Sequence, residues 1–177
     1  MSWTTNDMRI KMSTTKSAQK GVEAIMAFVN ANASNYTTLN AEEFCNALRV
    51  KMNVIIVEES YSVDCEEHFA LIPEVCKAIA EAIPTEYFEG TASASSSYNE
   101  DTYHFFSFAN STLKITSQYF PEGDSYLCPD EDCEAFICHY EDIDEDGIIV
   151  CEDCGKEYTI DQLKGTLPQI IEKTFEI

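Results

Sequence analysis

Apolar residues recur along this chain with two periods, and the switch between them separates helical from extended stretches. From Thr15 onward, Val22, Ile25, Met26 and Val29 fall three and four residues apart and form one apolar stripe, which predicts an amphipathic helix ended by the small polar run Asn30 to Thr38. Asn40 followed by Glu43 has the form of a capping box and predicts a second helix with Phe44, Ala47 and Leu48 inward. NVIIVEE, residues 53–59, is apolar and β-branched, as a short buried strand should be. Asp64 with Glu67 repeats the capping pattern. Phe69, Ile72, Val75, Cys76, Ile79 and Ile83 then carry a third helical stripe up to Pro84. Pro73 falls inside that stripe and predicts a kink or a restart, because it supplies no N–H and collides with the preceding turn.

From Glu86 the period becomes two. YFEGTASASSSY, TYHFFSF and TLKITSQYF are three strand-like segments separated by turn signals at Asn99–Asp101 and Ala109–Ser111. His104, Phe106 and Phe108, and then Leu113, Ile115 and Tyr119, alternate with more polar neighbours, the pattern of an antiparallel meander with one solvated face. Pro121 to Asp124 forms a turn that introduces a cysteine-rich section. Beyond it, TIDQLKGTLPQIIEKTFEI predicts a C-terminal helix capped by Asp161 that docks through Ile170, Ile171 and Phe175. The expected class is α+β: a flexible tail at 1–14, an α+β domain at 15–121, a metal-binding section at 122–160 and a docking helix at 161–177.

Composition narrows the class. The 177 residues are 45% hydrophobic and 11% aromatic, enough to bury a core. No run of eighteen apolar residues occurs, and MSWTTNDMRIKMSTTK lacks the apolar core of a secretory signal, so the expectation is a cytoplasmic protein with reduced thiols and no membrane span. Of the eight cysteines, Cys45 and Cys76 fall among apolar residues in helical patterns, where a free thiol acts as a small hydrophobe. Cys65, beside Asp64, Glu66 and Glu67, has no cationic neighbour in sequence to lower its pKa.

Charge is unevenly placed. The net −21 is absent from residues 1–60, where six basic and six acidic residues cancel, and in 122–157 fourteen acids face Lys156 alone. Such a surface repels nucleic-acid phosphate and attracts basic protein surfaces.

The same section holds Cys128, Cys133, Cys151 and Cys154 in the pattern C-x4-C-x17-C-x2-C. Two short cysteine turns joined by a hairpin can each present two thiolates to one tetrahedral Zn²⁺. AFICHY and IIV are the expected hairpin strands, with EDIDEDG as the turn between them, and Gly155 follows the second cysteine turn where the backbone must bend tightly. Residues 126–158, and CEDCGKEY most closely, resemble a zinc ribbon, which implies a structural zinc site and contacts with proteins or nucleic acids. Ribbons have two residues between the first cysteines where this chain has four, so Cys138 and His139 stand as substitute ligands.

Two other motifs overlap these residues. Asp142 to Gly147 resembles the start of an EF-hand loop, which implies weak Ca²⁺ binding, although a hairpin rather than a helix pair flanks it. His139 and Glu141 followed by Cys151-x-x-Cys154 echo a deaminase signature, but nine residues between Glu141 and Cys151 are too few for its strand and helix. No phosphate loop, nucleophile elbow or H-E-x-x-H motif appears. In charge and size alone, the chain resembles the acidic antirestriction and anti-CRISPR inhibitors of phages and mobile elements, and the immunity proteins of nuclease toxins. This implies a non-enzymatic inhibitor that occupies the basic surface of a nucleic-acid-binding protein or nuclease, without binding nucleic acid itself. The expected contacts are Asp130, Glu131, Asp132, Asp142, Asp144 and Asp146. The alternatives are a zinc-ribbon accessory subunit of a transcription or translation assembly, and a zinc-dependent hydrolase or deaminase.

Overall fold

Residues 4–12 do not form a tail. In TTNDMRIKM, Asn6, Met8, Ile10 and Met12 alternate with Asp7, Arg9 and Lys11, and in the computed structural model this period of two is strand β1 (Thr4–Met12), buried at every second residue. Its charged positions made the segment look solvated throughout, whereas only one side of it is. The structure describes residues 4–60, 63–97, 100–120, 125–133, 135–138, 146–163 and 169–177.

Helix α1 (Thr15–Asn32) begins where its apolar stripe places it, and α2 (Ala41–Ala47) and α3 (Cys65–Ala82) begin where the Asn40 and Asp64 caps place them. Thr14 Oγ1, Asn40 Oδ1 and Asp64 Oδ1 accept from the backbone N–H of Ser17, Glu43 and Glu67 at 3.0, 3.1 and 2.8 Å. The Glu67 carboxylate does not return to its own cap. It binds the Thr37 and Thr38 hydroxyls and N–H groups instead, which ties α3 to the loop before α2. Pro73 lies inside α3, which continues through it as a single element.

The remaining strands of this layer are β2 (Arg49–Lys51), β3 (Val54–Ser60), β4 (Phe88–Ser96), β5 (Asp101–Ala109), β6 (Thr112–Phe120) and β11 (Gln169–Glu176). They form a seven-stranded antiparallel sheet in the order β11-β6-β5-β4-β1-β3-β2. The β5–β6 hairpin turns through Asn110 and Ser111 with φ of 50° and 62°, two left-handed residues matched to the strand twist.

β11 replaces the expected C-terminal helix over 161–177, of which only a single helical turn, α4 (Ile160–Leu163), is present among the described residues. Ile171 and Phe175 are four residues apart, an even number, so helix and strand periods both put them on one side. Pairing with β6 resolves the ambiguity, setting Ile171 opposite Ser117 and Phe175 opposite Leu113.

α1 and α3 cover one face of the sheet, α3 over β4 to β6 and α1 over β1 to β3. Ile10, Ile25, Ile55, Leu71, Ile79, Phe88, Phe108 and Leu113 form the core between the layers and are fully buried. His68 and His104 are both buried in it, their ring centroids 5.2 Å apart. Among the described residues, no helix covers the other face of the sheet. No described helix is long and apolar enough to cross a membrane.

Candidate metal centre

Each cysteine pair sits in the loop of its own small hairpin. β7 (Ser125–Leu127) pairs with β8 (Phe136–Cys138) around Cys128 and Cys133, and β9 (Ile148–Val150) pairs with β10 (Glu157–Thr159) around Cys151 and Cys154. The expected pairing of AFICHY with IIV is not among the described ladders, because each of those strands has a neighbour closer in sequence. The loops are tied by short backbone bonds: Cys128 N–H donates to Ala135 C=O at 2.7 Å, Cys133 to Asp130 at 2.9 Å, and Cys151 to Lys156 at 2.9 Å. Gly155, with φ of +73°, donates to the Cys151 carbonyl at 2.7 Å and makes the tight bend that a side chain would strain.

These loops bring four sulfurs together. All Sγ atoms of Cys128, Cys133, Cys151 and Cys154 lie within 4.8 Å of one another, with Cys128 to Cys154 at 3.7 Å and Cys133 to Cys151 at 3.6 Å. A tetrahedron with Zn–S bonds of about 2.3 Å has sulfur–sulfur edges of about 3.8 Å. The spacing therefore fits four thiolates around one ion, and it is far from the ~2.05 Å of a disulfide.

Protonation is strained in the same sense. Burial pushes the Cys128 thiol up, but the Tyr158 hydroxyl, the Asp130 backbone and the Cys154 and Cys151 thiols outweigh it and bring it down to about 7. The Ala135 backbone lowers the Cys133 thiol, while burial and the other three sulfurs drive it up to about 12. One sulfur ionises at the expense of its neighbours, and a divalent cation would allow all four to ionise.

Two contacts escaped the sequence reading. The Tyr158 hydroxyl lies 3.3 Å from Cys128 Sγ, and Lys156 Nζ forms an ion pair with Asp130 that joins one cysteine loop to the other. Beneath the sulfurs, Ile149 and Leu163 are fully buried apolar residues of a small second core among the described residues. A metal held by the four sulfurs would tie the two hairpins to each other.

Among the expected partner contacts, Glu131, Asp132 and Asp146 are exposed. Asp130 is held inward by Lys156, with its side chain 16% exposed. Asp142, Asp144, Glu141 and His139 lie outside the described residues, as does the side chain of Cys138. The fold and the site define a two-layer α+β protein with a four-cysteine cluster at metal-binding distance. No family model, curated protein or solved structure matches the chain.

Proposed function

We propose that the protein is a zinc-stabilised acidic binding protein that docks on the basic surface of a nucleic-acid-binding protein or nuclease and inhibits it, in the manner of an antirestriction or anti-CRISPR protein. The observation that carries this reading is the coincidence of the sulfur cluster with acids. Glu131 and Asp132 on one cysteine loop and Glu152 and Asp153 on the other are exposed, while Lys156, the single basic residue of 122–157, is engaged by Asp130. A metal that fixes both loops holds these like charges at defined spacing and lowers the cost of presenting them to a basic partner. Zinc fits the all-sulfur donor set, and its role here is structural.

The test is binding to purified basic nucleases and DNA-binding effectors, measured across a salt series with the DNA substrate as competitor. Affinity should fall steeply with salt, DNA should be displaced, and combined reversal of Glu131, Asp132, Glu152 and Asp153 to Lys should abolish binding in zinc-loaded, folded protein. Unchanged binding after reversal, or no binding to any of the basic proteins, would overturn the proposal. A second reading, an accessory subunit of a larger assembly, draws on β11, an eight-residue edge strand with Ile170 55% exposed. It predicts stoichiometric co-purification with one host complex that is lost on Ile170→Lys.

A further inference from the structure

On the sheet face that no described helix covers, the end built from β1, β2 and β3 concentrates the cations of a chain that is acidic as a whole. β3 lies between β1 and β2, and the register places Arg9 and Arg49 on either side of Ile56, and Lys11 and Lys51 on either side of Val54. Residues directly opposite in a ladder share a face. In the cross-strand rows through Asp7, Arg9 and Lys11, from β6 to β2, Lys114 joins these four cations and only Asp7, Glu58 and Glu89 oppose them. Within these rows a protein of net −21 holds a local surplus of two positive charges, while the same face adds Asp101 in the row through Thr5 and Glu172 and Glu176 on β11.

The chain's only two arginines converge there. Arg9 Nη2 donates to Glu58 Oε1 at 2.8 Å, and Arg49 Nη2 donates to Glu58 Oε2. Their stems shield Ile56, which is 6% exposed although it lies on the uncovered face. Each guanidinium presents five N–H donors and gives Glu58 a bond from one nitrogen, with side chains still 64% and 59% exposed. Glu58 shows that both forks can close on one oxyanion. They border a cavity of about 640 Å³ that Asp7, Glu58, Thr91 and Ser93 also line, a volume within the usual range for a small-molecule site.

The row through Arg9 continues to an aromatic side chain. Arg9 pairs with Thr91 and Thr91 with Phe105, which is 51% exposed and borders an adjoining cavity of about 390 Å³ that shares Thr91. Two strand spacings separate Phe105 from Arg9, about 10 Å. Tyr103, 37% exposed, stands two residues along the same strand. A cationic fork and an exposed ring at that separation match the two ends of a nucleotide, with phosphate in the fork and the base stacked on the ring.

We propose that the open face binds a free nucleotide, its phosphates held by Arg9 and Arg49 and its base on Phe105, with Glu58 an internal anion that the phosphate displaces. The chain's net charge disfavours a long polyanion, so a mononucleotide is assigned in preference to a nucleic-acid strand.

The experiment is calorimetric titration of the full-length, zinc-loaded protein with ATP, with pyrophosphate and with a single-stranded oligonucleotide. ATP should bind saturably and more tightly per site than the oligonucleotide. Arg9→Met and Arg49→Met should each weaken ATP and pyrophosphate about tenfold or more. Phe105→Ala should weaken ATP at least about fivefold and leave pyrophosphate unchanged. Glu58→Gln should tighten both, a gain that a purely structural ion pair does not predict. Circular dichroism confirms that each variant is folded. Absence of saturable ATP and pyrophosphate binding in both the wild type and Glu58→Gln overturns the proposal, as does equal binding by the arginine variants. Tighter binding of the oligonucleotide overturns the assignment to a free nucleotide.

Discussion

Acid should destabilise this protein well before its carboxylates protonate, and the cause is the histidine pair formed by His68 of α3 and His104 of β5. His68 Nδ1 and Thr102 Oγ1 share a hydrogen bond at 3.0 Å, and His104 Nδ1 and Ser117 Oγ share one at 2.8 Å, while the buried His104 Nε2 has no hydrogen-bond partner among the described residues. Burial lowers the pKa of His104 to about 4, the His68 backbone opposing and Lys173 adding to the fall. Burial, then His104 itself, lowers the pKa of His68. The Phe69 ring lies 5.9 Å from the His104 ring and 5.6 Å from that of Tyr119, an aromatic setting that favours the neutral imidazole. Because both folded-state pKa values lie below the unfolded value near 6.5, the stability from these neutral rings is complete above that pH and is lost as pH falls through the interval down to the folded pKa. For His104, the 2.5 units between 6.5 and about 4 correspond to about 3.4 kcal/mol below pH 4, and to about 1.3 kcal/mol between pH 7.5 and 5.5. His68 adds loss of the same sign. Urea unfolding of the wild type and of His104→Gln at the two pH values isolates the contribution: the wild type should lose at least about 1.3 kcal/mol more than the variant. Equal losses in the two proteins would refute the reasoning.

Other perturbations have comparably specific outcomes. Gly90→Ala places a Cβ 2.3 Å from the Arg9 carbonyl oxygen and 2.8 Å from the Phe106 ring, so β1 and β4 must move apart; thermal unfolding should show a loss of roughly 2–3 kcal/mol. Phe108→Ala removes a fully buried ring that packs 5.3 Å from Phe88 and should cost about 3–5 kcal/mol in denaturant unfolding. Burial raises the Glu67 pKa, but the Thr37 and Thr38 groups pull it down to about 2, so its stabilisation holds above pH 4.5 and disappears as pH falls through 2. Discounted for solvent screening, Glu67→Gln should cost on the order of 1 kcal/mol at pH 7, with the gap to the wild type closing in acid.

Elements whose local chemistry was unambiguous were legible in the sequence. The Asn40 and Asp64 helix caps and the β4 to β6 meander stand where the capping residues and the period of two put them, because each is decided by contacts within a few residues. β1 was missed since its outer positions are charged: Asp7, Arg9 and Lys11 lie on the open face, and no local signal marks the β3 and β4 partners that bury Met8 and Ile10. β11 was missed because the Ile171 to Phe175 spacing suits either period and β6, its partner, lies some fifty residues earlier. For the four-cysteine cluster, spacing named Cys128, Cys133, Cys151 and Cys154 but left Cys138 and His139 open as substitutes. The Lys156 to Asp130 link and the Tyr158 hydroxyl depend on how the loops face each other, which spacing does not encode.

Metal content tests the central claim most directly. Elemental analysis of freshly purified, reduced protein, paired with thiol titration before and after chelation, should find close to one zinc per chain and four thiols that become reactive only when the metal is removed. Protein free of zinc, with Cys128, Cys133, Cys151 and Cys154 all freely titratable while the rest of the chain is folded, would contradict it.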